Sequence, residues 1–201
     1  VGIQVSGSTI TPTITPTLVT TGTGKITLTG TSSSSPSSSG IILRGPTISS
    51  ANGDITLTGN GNGSGYGIQL LSNALVASTG TGKVGLTGTG GNGINGGNRG
   101  ISVESNSIVR SLNGDISLTG TGGGTGSSNY GIAIDNGALV ESTGIGTITF
   151  SGAGSGGTSD NPGILINDSH VRSLHGDIRL TGEGGSGTVT GNYGIRMGNM
   201  T

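Results

Sequence analysis

The chain has 201 residues, of which 28% are hydrophobic, 2% aromatic and 8% charged, with 46 glycines, no cysteine and a net charge of −1. Ordinary globular domains are roughly 45–50% apolar, so this composition excludes a thick aromatic core, and the lack of cysteine excludes disulfides and thiolate chemistry. The near-neutral balance without a Lys/Arg cluster argues against a nucleic-acid partner, and no segment approaches the ~20 consecutive apolar residues of a membrane span.

In chain order, the predicted elements recur as units that each open with a glycine and a short alternating apolar strand. The spacings between successive units are 38, 27, 33, 31, 32 and 31 residues. The units begin near Gly2, Gly40, Gly67, Gly100, Gly131, Gly163 and Gly194. A fixed period of this size indicates a solenoid. We therefore interpret residues 1–201 as a single β-solenoid segment of about six coils and expect it to be part of a longer repetitive protein.

Each unit contains three short strand-like pieces, which in the fourth unit are residues 101–103, 108–111 and 115–119. Alternation places one set of aliphatic residues on the same side of these pieces: Ile101, Val103, Val109, Ile116 and Leu118. The Gly/Ser/Thr/Asn tract that follows is typical of a protruding loop. No segment has helical periodicity, and parallel crossovers are right-handed in about 98% of cases. The pattern predicts an all-β, right-handed parallel β-helix with three strands per coil and Gly-rich loops.

Charged residues recur at equivalent positions in successive units. The position that opens the third strand forms a predicted column of Lys25, Asp54, Lys83, Asp115, Thr147 and Asp177. A second column follows the second strand's apolar residue and consists of Arg110, Glu141 and Arg172. Opposite charges would then lie one coil apart, and a shift of the register by one coil would bring like charges together. We interpret both columns as a structural charge ladder.

The form of the unit resembles a known family. Residues 100–103 read Gly-Ile-Ser-Val, a strand of small residues and valine follows, and residues 113–120 read Asn-Gly-Asp-Ile-Ser-Leu-Thr-Gly. This pattern resembles the haemagglutinin-type repeats of filamentous haemagglutinin-like exoproteins, which are similar to autotransporter passenger domains in forming parallel β-helices. The resemblance implies two-partner secretion, an extracellular or bacterial cell-surface location, and a shaft-like role in adhesion, biofilm or fibre formation, with a host-cell or matrix glycan or protein as partner.

Catalysis is not expected. Parallel β-helices also include polysaccharide lyases and hydrolases, but these need several carboxylates that converge on one groove. The nine acidic residues are instead explained by turns and by the charge ladder. His170 and His175 would need further ligands to hold a metal, and the Gly-rich tracts lack the aspartates of calcium-binding repeats. We therefore expect no catalytic residue, cofactor or metal.

Two binding functions remain as alternatives to the structural role. The third strands carry outward Thr or Ser pairs, an array that resembles those of some ice-binding proteins, although Gly85 and Arg179 interrupt it. Tyr66, Tyr130 and Tyr193 precede unit-opening glycines at intervals of about two coils. Such a row could contact glycans, or it could pack over the bases of the loops.

The sequence begins and ends within predicted first strands, at residues 3–5 and 195–197. A solenoid end without a cap presents unpaired strand edges. We therefore expect either self-association or continuation of the same solenoid at both ends.

Overall fold

The computed structural model of the protein describes residues 2–6, 16–33 and 37–198. Over these ranges the chain forms strands and turns and no helix, so the prediction of an all-β parallel solenoid is confirmed. The strands belong to three parallel sheets, named A, B and C, and to one small antiparallel sheet. About six coils are stacked, because each strand pairs with the equivalent strand of the neighbouring unit.

The strands are numbered in chain order. Sheet A consists of β1 (Ile3–Ser6), β5 (Ile41–Arg44), β9 (Ile68–Leu71), β12 (Ile101–Val103), β15 (Ile132–Ile134), β18 (Ile164–Ile166) and β21 (Ile195–Met197). Sheet B consists of β2 (Thr17–Thr20), β6 (Thr47–Ser50), β10 (Leu75–Ser78), β13 (Ile108–Ser111), β16 (Leu139–Ser142) and β19 (His170–Ser173). Sheet C consists of β3 (Ile26–Thr31), β7 (Ile55–Asn60), β11 (Val84–Thr89), β14 (Ile116–Thr121), β17 (Ile148–Ala153) and β20 (Ile178–Glu183). The antiparallel pair is β4 (Ser37–Ser38) with β8 (Asn62–Gly63).

The three parallel sheets enclose a narrow aliphatic interior, which we call the tube. Its inward columns run in register from coil to coil; one of them pairs Ile68 with Ile101, Ile101 with Ile132, and Ile132 with Ile164. The five residues predicted to point inward in the fourth unit are fully buried. Full burial of one aliphatic side chain contributes about 1.5–3 kcal/mol, so the repeated column supplies the main stabilisation of each coil.

A close approach of two backbones explains the glycines that flank every loop. Each sheet C strand has a Leu-Thr-Gly or Phe-Ser-Gly run directly before its last residue, and each sheet A strand follows a Gly. A Cβ atom built on Gly120 would lie 2.1 Å from the carbonyl oxygen of Gly131. No side chain fits in such a gap, so glycine is required where the chain leaves the tube and where it returns. The intervening loop begins and ends at this pair of closely spaced glycines.

The corner between sheets A and B is made by residues in the left-handed region. Ser105 and Asn106 have φ values of 55° and 58°, and Asn136 and Gly137 have 51° and 77°. Asn and Gly adopt this conformation at low cost, which explains their recurrence directly after the first strand of a unit.

Throughout the described ranges, no helix has the length and apolar character needed to cross a membrane.

Candidate functional site

The predicted column at the start of sheet C brings charged groups of neighbouring coils together. Lys25 Nζ lies 3.1 Å from Asp54 Oδ2, and Lys83 Nζ lies 2.9 Å from Asp115 Oδ2. Asp177 instead pairs with Arg179 of its own coil, at 2.6 Å. These side chains are 41–71% exposed, so each of these pairs contributes about 0–1 kcal/mol to stability.

Backbone hydrogen bonds tie the same carboxylates to the next coil. The backbone N–H of Lys83 donates to Asp54 Oδ1 at 3.1 Å, and the N–H of Thr147 donates to Asp115 Oδ1 at 3.1 Å. The pKa of Asp54 is lowered by the Lys83 N–H and then by Lys25. The pKa of Asp115 is lowered by the Lys83 ammonium and then by the Thr147 N–H. Both aspartates therefore act as anionic links between consecutive coils.

The second predicted column forms a three-residue bridge on the outer face of sheet B. Arg110 of β13 donates to Glu141 Oε1, and Arg172 of β19 donates to Glu141 Oε2. Glu141 belongs to β16 and lies between the two arginines in register. The Glu141 side chain is only 5% exposed, whereas the two arginines are 42% and 63% exposed. Burial raises the pKa of Glu141, but the hydrogen bonds from Arg172 and Arg110 outweigh it and hold the pKa below its usual value.

The tyrosines lie in one column with an arginine between two of them. The Arg99 guanidinium carbon lies 5.8 Å from the ring centre of Tyr66 and 4.8 Å from that of Tyr130. Tyr130 is buried, with 1% of its surface exposed, and Tyr193 is 54% exposed. Arg99 therefore makes cation–π contacts with Tyr66 and Tyr130, each worth about 0.5–2 kcal/mol. The glycan-contact hypothesis for the three tyrosines stays a prediction, and of the three Tyr193 presents the most surface to a ligand.

Arg99 also reaches a buried carboxylate at the corner that follows β15. Its Nη1 lies 3.3 Å from Asp135 Oδ2 and 3.2 Å from the Ser102 hydroxyl. Within the described residues, Asp135 Oδ1 and Arg99 Nε are buried without a hydrogen-bond partner. Burial raises the pKa of Asp135 above its usual value despite the Arg99 charge. Asp135 is thus a poorly satisfied carboxylate, in contrast to Glu141.

The Gly-rich loops of four consecutive coils stack on one another, and we call them the loop lobe (residues 90–99, 122–130, 154–162 and 184–193). Backbone hydrogen bonds join adjacent loops; for example, Gly97 N–H donates to Ser127 O at 2.9 Å and Ser128 N–H donates to Asp160 O at 3.0 Å. An asparagine ladder runs through the lobe. The Oδ1 atoms of Asn129, Asn161 and Asn192 accept from the backbone N–H groups of Asn98, Asn129 and Asn161, each in the preceding coil, at 2.8, 2.9 and 3.1 Å.

The lobe covers the outer face of sheet A and creates a second, smaller core. Tyr130, Ala133 and Leu165 form this buried cluster outside the tube. Tyr130 donates its hydroxyl hydrogen to Asp160 Oδ2 at 3.0 Å, and Asp160 also pairs with Arg196. One face of sheet A therefore packs inward on the tube and the other packs outward on the lobe, which leaves much of this sheet inaccessible to a ligand.

Sheet C presents an exposed outer face of Thr and Ser side chains. Its outer columns pair residues strictly in register, one being Thr29, Thr58, Thr87, Thr119, Ser151 and Thr181. The neighbouring column contains Thr27, Thr56, Gly85, Ser117, Thr149 and Arg179. A shallow groove of about 430 Å³ lies on this face around Gly85, where the second column has no side chain.

Sequence reasoning missed Arg99, Asp160, Arg196 and the asparagine ladder. A signal for the ladder was present, since Asn recurs two residues before the unit-opening glycine at positions 98, 129, 161 and 192, spaced by 31, 32 and 31 residues. The Arg99 contacts had no such signal, because they depend on which loops stack. The described residues contain no group of three or more His, Asp or Glu side chains that could hold a metal ion.

Comparisons of the chain with protein-family models, with curated proteins and with solved structures found no match.

Proposed function

We propose that this chain is a structural and adhesive shaft segment of a large secreted or surface-displayed bacterial protein that works in adhesion, biofilm or extracellular fibre formation. The observation that carries the proposal is the unbroken pairing of equivalent strands through all three sheets, coil after coil. Every coil is bonded to its neighbours on three sides, so the assembly resists bending and its length scales with the number of coils. The resemblance of the repeat to filamentous haemagglutinin-like exoproteins supports export and a surface location.

The pairing of the charged groups supports the proposal of a non-catalytic role. Lys25, Lys83 and Arg110 are each bound to a carboxylate of the next coil. A polysaccharide lyase or hydrolase would instead need carboxylates converging on the substrate from one groove. We propose that the acids of this chain serve as links between coils.

The test is electron microscopy of the native, unprocessed protein together with antibodies raised against the purified chain. We expect straight rods of constant width and labelling of intact cells or of their extracellular matrix. Beads coated with the purified chain should adhere to matrix-coated surfaces more than beads coated with the urea-denatured chain. A compact particle confined to the cell interior would contradict the proposal.

The partner we propose at the ends is more solenoid. The edge strands β1, β2 and β3 at one end and β19, β20 and β21 at the other each have a neighbour on one side. Apolar side chains are exposed there: Leu18 is 43%, Ile178 42% and Met197 67% exposed. Exposed parallel edges pair readily with further strands. Additional coils from the same polypeptide or from a second copy would cover them.

Strand counts bear on the choice between these two sources. In the part of the chain that the structure describes, sheet A has seven strands and sheets B and C have six each. A second copy stacked head to tail therefore cannot continue all three sheets unless β1 or β21 is displaced. We favour continuation in one polypeptide. A native mass well above the 19.3 kDa of this chain, with no growth of the purified chain into fibres on concentration, is the expected result.

Ice binding is a second candidate, favoured by the in-register hydroxyl column on sheet C. Thr29, Thr87 and Thr119 are exposed on a face whose strands are spaced by about 4.8 Å. The measurement is thermal hysteresis of the purified chain. If ice is the ligand, Gly85→Thr should increase hysteresis because it fills the gap at position 85 of the adjacent column, and Thr87→Val should reduce it. No hysteresis in any of the three proteins would remove this candidate.

A further inference from the structure

Gly85 is a glycine that the fold does not require. It is the second residue of β11, inside the paired region, and it pairs with Thr56 on one side and Ser117 on the other without a bulge. A Cβ built on it would have its nearest neighbour 4.0 Å away, at the Ile55 carbonyl oxygen. By contrast, a Cβ on Gly88 of the same strand would lie 2.2 Å from the Gly100 carbonyl oxygen. Gly88 is imposed by packing, and Gly85 is not.

Glycine in a strand interior has a cost. It is less stable than alanine there by roughly 0.5–1 kcal/mol, because more backbone freedom is lost and no side chain packs. A glycine within a strand usually marks a bulge, a bend, or a place where another molecule approaches the backbone. The unbroken register of β11 excludes a bulge, and among the described residues no backbone approaches Gly85 closely.

The groove above Gly85 is lined by groups that donate and accept hydrogen bonds. Thr56 and Ser117 flank it in register, and Asp54, Lys83 and Asp115 border it at the start of the strands. Lys83 is paired with Asp115 at 2.9 Å and Asp54 with Lys25 at 3.1 Å, so the charges around the groove are locally balanced. These side chains remain 41–71% exposed and can still exchange hydrogen bonds with a ligand.

We propose that this groove is a binding site for one sugar residue of a neutral polysaccharide. A sugar ring presents many hydroxyls, which both donate and accept and so match hydroxyl, carboxylate and ammonium groups set side by side. A charged ligand would have to displace an existing ion pair. The bare peptide at Gly85 lets the ring approach the backbone, which a threonine at this position would prevent.

The site goes beyond the proposed shaft role and does not depend on it. The strands of sheet C stack in order from coil to coil, so its outer columns run along the solenoid axis and a polysaccharide strand could lie along the face while one residue enters the groove. The groove is shallow and cannot bury most of a ligand, so binding to one oligosaccharide is expected to be weak, with Kd on the order of 1 mM. Multiple contacts on a polymer would strengthen it.

The experiment uses the purified chain, labelled with nitrogen-15 for NMR, and neutral gluco-, galacto- and manno-oligosaccharides as probes. We expect at least one probe to shift the amide signals of Gly85, Thr56 and Ser117 saturably. Gly85→Thr should weaken this binding about tenfold or more. The variant should remain folded with a higher Tm, since threonine favours strands and the space is free.

The matched control is Gly22→Thr, the same chemical change at an exposed turn glycine with nothing within 4 Å of its built Cβ. It should bind like the wild-type chain. The proposal is overturned if no probe gives saturable shifts, if the shifts map away from Gly85, or if Gly85→Thr binds as well as Gly22→Thr. Each of these results leaves the shaft proposal untouched, because electron microscopy and cell labelling test that separately.

Discussion

The tube and the loop lobe belong to the same stacked coils, but different interactions stabilise them. In the tube, aliphatic columns such as Ile101, Ile132 and Ile164 are fully buried, and apolar burial is the main stabilising term. In the lobe, glycine predominates, and order comes from backbone hydrogen bonds, from the asparagine ladder and from the Tyr66–Arg99–Tyr130 stack. A glycine-rich segment can therefore be regular when the preceding and following coils offer partners for its peptide groups.

The two regions also differ in the hydrogen-bond partners that they offer to a buried carboxylate. Glu141 on the wall of the tube accepts from two arginines, and its pKa is lowered. Asp135, at the junction with the lobe, has one arginine and a buried oxygen without a partner in the described chain, and its pKa is raised. The wall carboxylate thus stabilises the fold when ionised, whereas the junction carboxylate pays a desolvation penalty.

The largest expected effect is in the interior of the tube. Ile132→Ala should destabilise the protein by about 2–5 kcal/mol, because it removes buried methyl groups and leaves a cavity between two coils. Urea unfolding followed by circular dichroism measures it. Thr119→Ala, on the exposed face of sheet C, is the control and should change stability by less than about 0.5 kcal/mol. Equal effects of the two substitutions would mean that the aliphatic columns do not dominate the stability of the tube.

The unfolding free energy should depend on the charge at position 141, on the outer face of sheet B. Glu141→Gln should cost about 1–3 kcal/mol, because two arginines lose a charged acceptor. Glu141→Arg should cost roughly 1 kcal/mol more, since it places three guanidinium groups on consecutive coils. Unfolding free energies of both variants at low salt decide this, and the gap should shrink as salt is added. Identical losses would show that the column has no role in register.

Breaking the asparagine ladder should destabilise the lobe and leave the stability of the tube unchanged. Asn129 Oδ1 accepts from Asn98 N–H at 2.8 Å, and its Nδ2 donates to Gly126 O at 2.9 Å. Asn129→Ala should cost about 1–3 kcal/mol, confined to the lobe. Hydrogen exchange should accelerate for residues 122–130 and remain unchanged for Ile132. Thr125→Ala in the same loop is the control. Faster exchange throughout the coil would mean that the lobe and the tube open as one unit.

The smallest effect is a pH dependence of opposite sign at the two carboxylates. The folded-state pKa of Glu141 lies below the usual 4.5, so its stabilisation is present above that value and is lost as the pH falls through the folded pKa. The folded-state pKa of Asp135 lies above 3.8, so stability is gained as the pH falls through it toward 3.8.

Thermal unfolding at a series of pH values tests these signs. On acidification, Asp135→Asn should lose more stability than the wild-type chain, and Glu141→Gln should lose less. If the two variants shift the pH profile in the same direction, the contrast between wall and junction is wrong.

Much of the tube could be predicted from the sequence because its signal is local and periodic. The first and second strands of the fourth unit are observed at the predicted residues 101–103 and 108–111. The third is predicted at 115–119 and observed at 116–121, so it begins one residue later and ends two residues later. Alternation with a period of two fixes which side chains point inward, and a repeat near 31 residues fixes what stacks on what. The charge columns followed from the same register.

The lobe could not be predicted to the same depth. Glycine-rich tracts carry no apolar periodicity, so composition alone predicts a loop and says nothing of its partners. The tyrosines were found as a column, but the insertion of Arg99 between two of them depends on the paths of three stacked loops. The groove at Gly85 likewise has meaning only once Thr56 and Ser117 are known to flank it.

The sequence by itself determined the coil, its three strands and its inward columns, because each follows from residues a few positions apart and from their exact recurrence. Tertiary structure decided which loops pack together, which tyrosine is buried, which carboxylate is fully paired and where the exposed face of sheet C is interrupted. These features depend on contacts between residues about 30 positions apart, whose geometry exists only after the coils have stacked.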